Sequence, residues 1–216
     1  MKACIVLNGE VRDYEFLKSN FQNNKYDFII CADGGAKHLY KINIIPDYII
    51  GDLDSLNSEI ISFYKENKVK FTKFPSRKNE TDAELCINLA KDLNAKEICI
   101  LGALGGRIDH TMANINLMYY IKNLDINPIM QTSEEDIFLV SNETSVIRGD
   151  KGDTLSIIPI KDDANGVTLK DLEYPLDDYN IKYGSPIGIS NIMKKDECEI
   201  TVKDGNLIVI RNKKSV

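Results

Sequence analysis

Over the first 130 residues of the chain, short apolar runs alternate with segments whose apolar positions recur at helical spacing. Ala3 to Leu7, Phe28 to Ala32, Tyr48 to Ile50, Val69 to Phe74, Ile98 to Leu101 and Pro128 to Met130 predict strands. Tyr14 to Asn20, Ala36 to Tyr40, Ser58 to Glu66, Thr81 to Leu93 and His110 to Lys122 predict the helices between them. Thr81-Asp82-Ala83-Glu84 is a capping-box sequence, in which Thr81 bonds a free amide of the first turn and Glu84 reaches back. Strand and helix in alternation require crossover connections, and hence a mostly parallel sheet covered on both faces.

After about residue 135 the period changes. Ile137 to Val140, Ser145 to Arg148, Thr154 to Pro159, Asn165 to Leu169, Glu199 to Lys203 and Leu207 to Arg211 are short β-rich runs, broken by turn residues such as Asn165-Gly166 and Asp204-Gly205-Asn206. The expected fold class is therefore α/β plus all-β. An N-terminal parallel α/β domain over residues 1–130 is followed by a C-terminal β-sandwich domain over 131–216, joined near Asn123 to Glu135. No internal repeat or low-complexity stretch interrupts this plan.

Composition narrows the class of function. With 27 Lys+Arg against 33 Asp+Glu the formal charge is −6, which argues against a nucleic-acid binder that works by neutralising phosphates. Lys2 precedes only the five apolar residues Ala3 to Leu7, too few for a signal-peptide core, and no run approaches a membrane span. The five cysteines are widely spaced with no C-x-x-C pair, and only two histidines are present to complete a zinc site. Reduced core cysteines in a cytoplasmic protein, with no membrane partner, are the expectation.

The informative feature lies at the ends of four of the strands. Phe28 to Ala32 runs into Asp33-Gly34-Gly35, and Tyr48 to Ile50 into Gly51-Asp52-Leu53-Asp54-Ser55. Val69 to Phe74 leads through Arg77, Lys78 and Asn79 to Thr81-Asp82, and Ile98 to Leu101 leads to Gly105-Gly106-Arg107-Ile108-Asp109-His110. In an open parallel sheet all these segments emerge at the carboxyl edge, where such sheets bind ligands. Each piece also has a plain structural reading as a turn or a helix cap. Their conjunction at one edge is what points to a site. Converging carboxylates repel one another unless a divalent cation such as Mg²⁺ joins them, usually bridging to substrate phosphates. Arg107 supplies a planar charged fork for phosphate oxygens. Neither a P-loop nor a dinucleotide fingerprint is present.

The segments ADGGA (Ala32 to Ala36), PDYIIGDLDS (Pro46 to Ser55), KNETD (Lys78 to Asp82) and GALGGRIDH (Gly102 to His110), followed by Asn114, resemble the thiamine pyrophosphokinase family, as does LEYPLDDYNIKYGSPIGISN (Leu172 to Asn191). The resemblance covers nearly the whole chain in the right order. It implies Mg²⁺-dependent transfer of pyrophosphate from ATP to the hydroxyl of thiamine, giving thiamine diphosphate and AMP. It also implies a homodimer with the thiamine site at the subunit interface. Carried over, the pattern places Mg²⁺ on Asp52, Asp54 and Asp82 with Asp33 close by, and ATP near Asp33, Gly34, Gly35, Lys78, Thr81, Arg107 and Asn114. Thiamine falls to Asp109, Ser190 and Asn191, with Asp82, Arg107 and Asp109 as the catalytic set. Asn79 stands where the family often has Asp. Some members stack thiamine on a Trp, which this chain lacks, so Ile187, Ile189 or Tyr183 is expected to substitute.

On this reading Arg107 stabilises the transferring charge, and Asp82 or Asp109 accepts the alcohol proton. His38, on a short helix, is expected to be structural. Two other functions fit the same rim: pyrophosphoryl transfer to another heterocyclic alcohol such as a hydroxymethylpterin, and nucleotide sensing without turnover.

Overall fold

The computed structural model describes residues 1–73 and 80–214, which form two compact units, Met1–Ser133 and Glu134–Val216. In the first unit the order of elements is β1 (Lys2–Val6), α1 (Tyr14–Asn23), β2 (Phe28–Ala32), α2 (Gly35–Lys41), β3 (Tyr48–Gly51) and α3 (Ser58–Glu66). These are followed by β4 (Lys70–Lys73), α4 (Asp82–Asp92), β5 (Glu97–Leu101), α5 (Ile108–Lys122) and β6 (Asn127–Gln131). The strands lie in the order β6-β5-β1-β2-β3-β4, and each neighbouring pair is parallel. The chain starts in the middle, builds outward to β4, then returns past β1 to lay down β5 and β6.

The central strands β1, β2 and β5 are largely buried on both faces, which is why they read as continuous apolar runs rather than alternating ones. Cys4, Val6, Cys31, Ile49, Cys99 and Leu101 join Leu17, Leu39, Ile60 and Tyr64 from the helices in one core. Helix starts are set by short polar side chains: Asp13 accepts from the Phe16 amide and Asn57 from the Ile60 amide, each at 2.9 Å. All five cysteines are buried and none is in a disulfide, and burial pushes the Cys198 thiol up to about 11.

The second unit contains β7 (Glu135–Ser141), β8 (Thr144–Arg148), β9 (Thr154–Pro159), β10 (Ala164–Lys170), β11 (Leu176–Ile181), β12 (Asn191–Ile192), β13 (Glu197–Thr201) and β14 (Asn206–Asn212). Two antiparallel sets, β12-β9-β14-β7 and β11-β10-β13-β8, share one core. Val140, Leu155, Ile157, Leu207 and Val209 from one set meet Ile147, Val167, Leu169, Ile181, Cys198 and Ile200 from the other, which makes a β-sandwich. Two elements depart from the sequence expectation. Asn165-Gly166 lies inside β10 at a shift of register rather than at a hairpin turn. Strand β11 shows no apolar alternation because four of its six side chains face solvent at the edge of its sheet.

Unit 2 also buries an ion cluster. Arg211, 13% exposed, bonds Asp136 through Nη2 and lies 3.4 Å from Asp153, which is 1% exposed; Lys213 closes the set at 2.9 Å from Asp136. Removing one partner of such a set strands a buried charge, whereas an exposed pair such as Arg148–Glu197 is screened by water. Arg211→Ala is therefore expected to lower unfolding free energy by about 3–5 kcal/mol in urea titration, against less than about 1 kcal/mol for Arg148→Ala. Equal effects would contradict the assignment.

Candidate active site

The carboxyl ends of the parallel strands bring three acidic side chains into one cluster. One carboxylate oxygen from each of Asp33, Asp52 and Asp54 lies within 4.8 Å of the others. Asp33 leaves β2 in a left-handed turn (φ 38°), its amide still donating to the Ile50 carbonyl at 2.7 Å, so the β2–β3 ladder fixes where the side chain starts. Across that ladder, Gly51 has φ 148°, and a Cβ there would sit 2.8 Å from the Asp33 Cβ and 3.2 Å from Asp82 Oδ2. Only glycine lets these two acids approach the third strand so closely.

The Asp52-Leu53-Asp54 segment divides its labour by burial. Leu53 is 6% exposed and sits in the core, although its φ of 68° is unfavourable for a side chain of that size. Its burial turns the flanking carboxylates outward. The Asp54 amide donates to Asp52 Oδ1 at 3.2 Å, which folds the two acids onto one side. Asp82 is the first residue of α4, and Thr81 caps that helix by accepting from the Glu84 amide at 3.2 Å. The cap predicted from sequence is present, and it commits the Thr81 hydroxyl to the helix.

Burial raises the Asp33 carboxyl above its ordinary value; a hydrogen bond from Ser55 opposes this, and the charges of Asp52, Asp54 and Asp82 reinforce it. Asp33 Oδ1 is buried and has no hydrogen-bond partner. Among the described residues no cation bridges Asp33, Asp52 or Asp54. An acceptor-only oxygen left in this state, facing two more carboxylates, fits a hard divalent cation of the Mg²⁺ kind. Asp33, expected from sequence to bind nucleotide close by the metal, lies in one cluster with Asp52 and Asp54, two of the acids expected to hold metal.

The loop after β5 carries a second charged group. Arg107 forms a two-point pair with Asp109, Nε to Oδ1 at 3.1 Å and Nη2 to Oδ2 at 2.5 Å, both residues being open to solvent. Arg107 holds the Asp109 carboxyl below the usual carboxylate range. The Asn114 amide donates to the Ala103 carbonyl at 2.8 Å and so ties α5 to the same loop. Gly34 and Gly35 are buried at the start of α2. Lys78 lies outside the described residues.

In unit 2, Asn191 is 2% exposed and both ends of its carboxamide are bonded: Oδ1 accepts from the Tyr174 and Ile192 amides, and Nδ2 donates to the Tyr174 carbonyl. Ser190 is exposed, in a left-handed turn, with its amide on Ser156 Oγ at 3.0 Å. The clamp on both backbone groups of Tyr174 presents a ring that is 66% exposed. Tyr174 was not expected from sequence; its signal is the Asn191 side chain, which only the fold pairs with it.

The loop after β1 was also missed. Gly9 donates to the Gly102 carbonyl at 2.8 Å and Glu10 to the Leu104 carbonyl at 2.9 Å, so Asn8 to Glu10 belongs to the same rim. The rule that strand ends build the site covers Asn8-Gly9 as well, since this pair comes directly after the central strand.

A family model described as thiamin pyrophosphokinase, catalytic domain, matches residues 21–130, and one described as thiamin pyrophosphokinase, vitamin B1 binding domain, matches residues 138–207. Thiamine pyrophosphokinase 1 of Oryza sativa is 29% identical over 204 residues, covering 83% of this chain and 76% of that one. Thiamine pyrophosphokinase of Bacillus subtilis is 29% identical over 185 residues, covering 85% and 86%. The solved structure of the Bacillus subtilis protein superposes with a TM-score of 0.89 over the full length of both chains at 24% identity. That of thiamin pyrophosphokinase from Candida albicans gives 0.86 over 99% of this chain and 89% of its own, at 20% identity.

Asp33→Asn tests the electrostatics of the cluster. Because the folded pKa of Asp33 is raised, the metal-free protein loses stability as pH rises through that raised value. At neutral pH the substitution is expected to raise the melting temperature of the metal-free protein. It should also abolish any further rise on adding Mg²⁺. A lower melting temperature without metal, or an undiminished Mg²⁺ response, would contradict the cluster's role.

Proposed function

Because the chain belongs to the thiamin pyrophosphokinase family, and so transfers pyrophosphate from ATP to thiamine, we propose that Asp33, Asp52, Asp54 and Asp82 form its Mg²⁺ site and that the transfer takes place at this rim. The observation that carries the reading is the convergence of acids from the ends of two neighbouring strands, β2 and β3, around a buried, unpartnered Asp33 oxygen. Bound there, Mg²⁺ would neutralise charge on the phosphates of ATP.

The remaining steps fall to the chain's own groups. Lys78 and Arg107 bind the triphosphate, with Gly34, Gly35, Thr81 and Asn114 shaping the loops around it. The thiamine hydroxyl attacks the β-phosphorus in line, the bond from that phosphorus to the α-phosphate oxygen breaks, and AMP leaves. Arg107 cannot serve a phosphate with its whole fork while it grips Asp109. When it turns to the transferring oxygens, Asp109 is released from the charge that depresses its pKa and faces the thiamine hydroxyl as proton acceptor. ATP binding and activation of the base are coupled in this way. Asp82 is the other candidate acceptor.

On the thiamine side, Ser190 offers its hydroxyl, Asn191 holds the loop, and Tyr174 offers a ring in place of the absent Trp. Tyr174, Tyr183, Ile187, Ile189 and Ile192 are all at least 39% exposed. A single copy leaves that much apolar surface wet, which supports a homodimer with thiamine at the subunit interface. Sedimentation should then report twice the 24.4 kDa of one chain. Buried cysteines outside any disulfide fit the reducing cytoplasm as its place of action. No helix among the described residues is long and apolar enough to cross a membrane.

An assay of AMP release with ATP, thiamine and saturating Mg²⁺ tests the whole reading. The wild-type chain should release AMP, not ADP, and only with thiamine present. Asp52→Asn should lower kcat/KM by roughly 100-fold or more, the scale of losing one main electrostatic group. Tyr174→Ala should raise KM for thiamine with little change in KM for ATP. Unchanged turnover in Asp52→Asn would remove that residue from the metal site.

A further inference from the structure

Resting on ATP as the pyrophosphoryl donor, we infer that Asn8 is an additional substrate-contacting residue whose carboxamide binds the ATP triphosphate, and that His38 is the positioning residue that holds it there. The inference starts from an oddity of the Asn8 side chain. An asparagine in a tight loop usually bonds its own backbone two residues on. Asn8 does not: it is exposed, and its carboxamide makes no hydrogen bond among the described residues. It lies instead flat against Gly34. A Cβ on Gly34 would come within 2.4 Å of Asn8 Cγ and 2.5 Å of both Nδ2 and Oδ1. The glycine next to Asp33 is therefore matched to the amide, which stands beside the carboxylate cluster with donors and acceptor unused.

The chemistry of that position favours an amide. An aspartate would add to the repulsion already raising Asp33, and a lysine would compete with a cation for the same carboxylates. The neutral carboxamide donates two N–H groups to phosphate oxygens and leaves the charge balance unchanged.

The backbone beneath it is locked from three sides. Leu7 and Gly9 donate to the Leu101 and Gly102 carbonyls at 2.9 and 2.8 Å, and a Cβ on Gly9 would overlap Gly102 O at 2.4 Å. The third lock is His38 Nε2, 3.0 Å from the Gly9 carbonyl. Lys41 donates to the Tyr14 hydroxyl at 3.1 Å, and Tyr14 in turn meets His38 Nδ1 at 2.8 Å. With Nδ1 accepting from Tyr14, the ring proton is on Nε2 and is donated to Gly9. A helix α1 residue and two α2 residues thus fix the carbonyl directly after Asn8.

Titration calorimetry on the full-length enzyme with Mg²⁺, using a nonhydrolysable ATP analogue and AMP separately, tests the contact. Asn8→Ala is expected to weaken the ATP analogue about tenfold or more, as for a hydrogen bond to a charged group, with AMP affinity and KM for thiamine unchanged. Analogue affinity within twofold of wild type, an equal loss for AMP, or a change confined to thiamine would each overturn it. For His38, Gln keeps an N–H for Gly9 and Leu does not. His38→Leu should raise KM for ATP and add nothing in the Asn8→Ala background, while His38→Gln should stay near wild type. Equal effects of Gln and Leu would overturn the positioning role. Wild-type enzyme that made no AMP from ATP and thiamine would count against the family reaction, whereas analogue binding reads Asn8 independently of turnover.

Discussion

Like charges held together against their repulsion are the constraint around which the first unit is organised. The charges of Asp52, Asp54 and Asp82 add to the cost of ionising Asp33, and the backbone nevertheless delivers these acids to one edge. It does so through features that are locally unfavourable: a left-handed Asp33, a left-handed Leu53 and a glycine at φ 148° between the acids. The buried sheet and the core anchors Leu53 and Leu56 offset that strain. Such an arrangement is not a route to stability, and its presence marks the edge as functional.

Function emerges from how the charges are divided. The acids lie at the ends of β2 and β3 and at the start of α4, while Arg107 stands on the loop after β5, two residues before Asp109. In the proposed mechanism, phosphate binding and base activation are two states of one ion pair. The loop after β1 adds the neutral Asn8 carboxamide, which packs against Gly34 beside Asp33. Unit 2 contributes a separate device, in which a buried carboxamide at Asn191 fixes the backbone of an exposed tyrosine.

The order of elements in the first unit was legible because both sheet faces are buried, so strands appear as unbroken apolar runs and helices as the segments between. The acids were legible for the same reason, since strand ends in a parallel sheet share an edge. What escaped was anything decided by contact across the chain. Strand β11 carries Asp177, Asp178 and Asn180 toward solvent and has no pattern to read. The pairing of Arg107 with Asp109 needs the loop's shape, and the close approach of Asp33 and Asp82 depends on the missing side chain of Gly51. Asn8 and Tyr174 were passed over because each gains its meaning from a partner far along the sequence, Gly34 and Asn191.

Diffraction from crystals soaked in Mn²⁺ with a nonhydrolysable ATP analogue, recorded at the manganese edge, tests the central claim most directly. An anomalous peak at roughly 2.0–2.3 Å from oxygens of the Asp33, Asp52, Asp54 and Asp82 set, bridging to phosphate, is the expected result. Manganese bound elsewhere on an enzyme that still turns over with that metal, or phosphates held away from this rim, would contradict it.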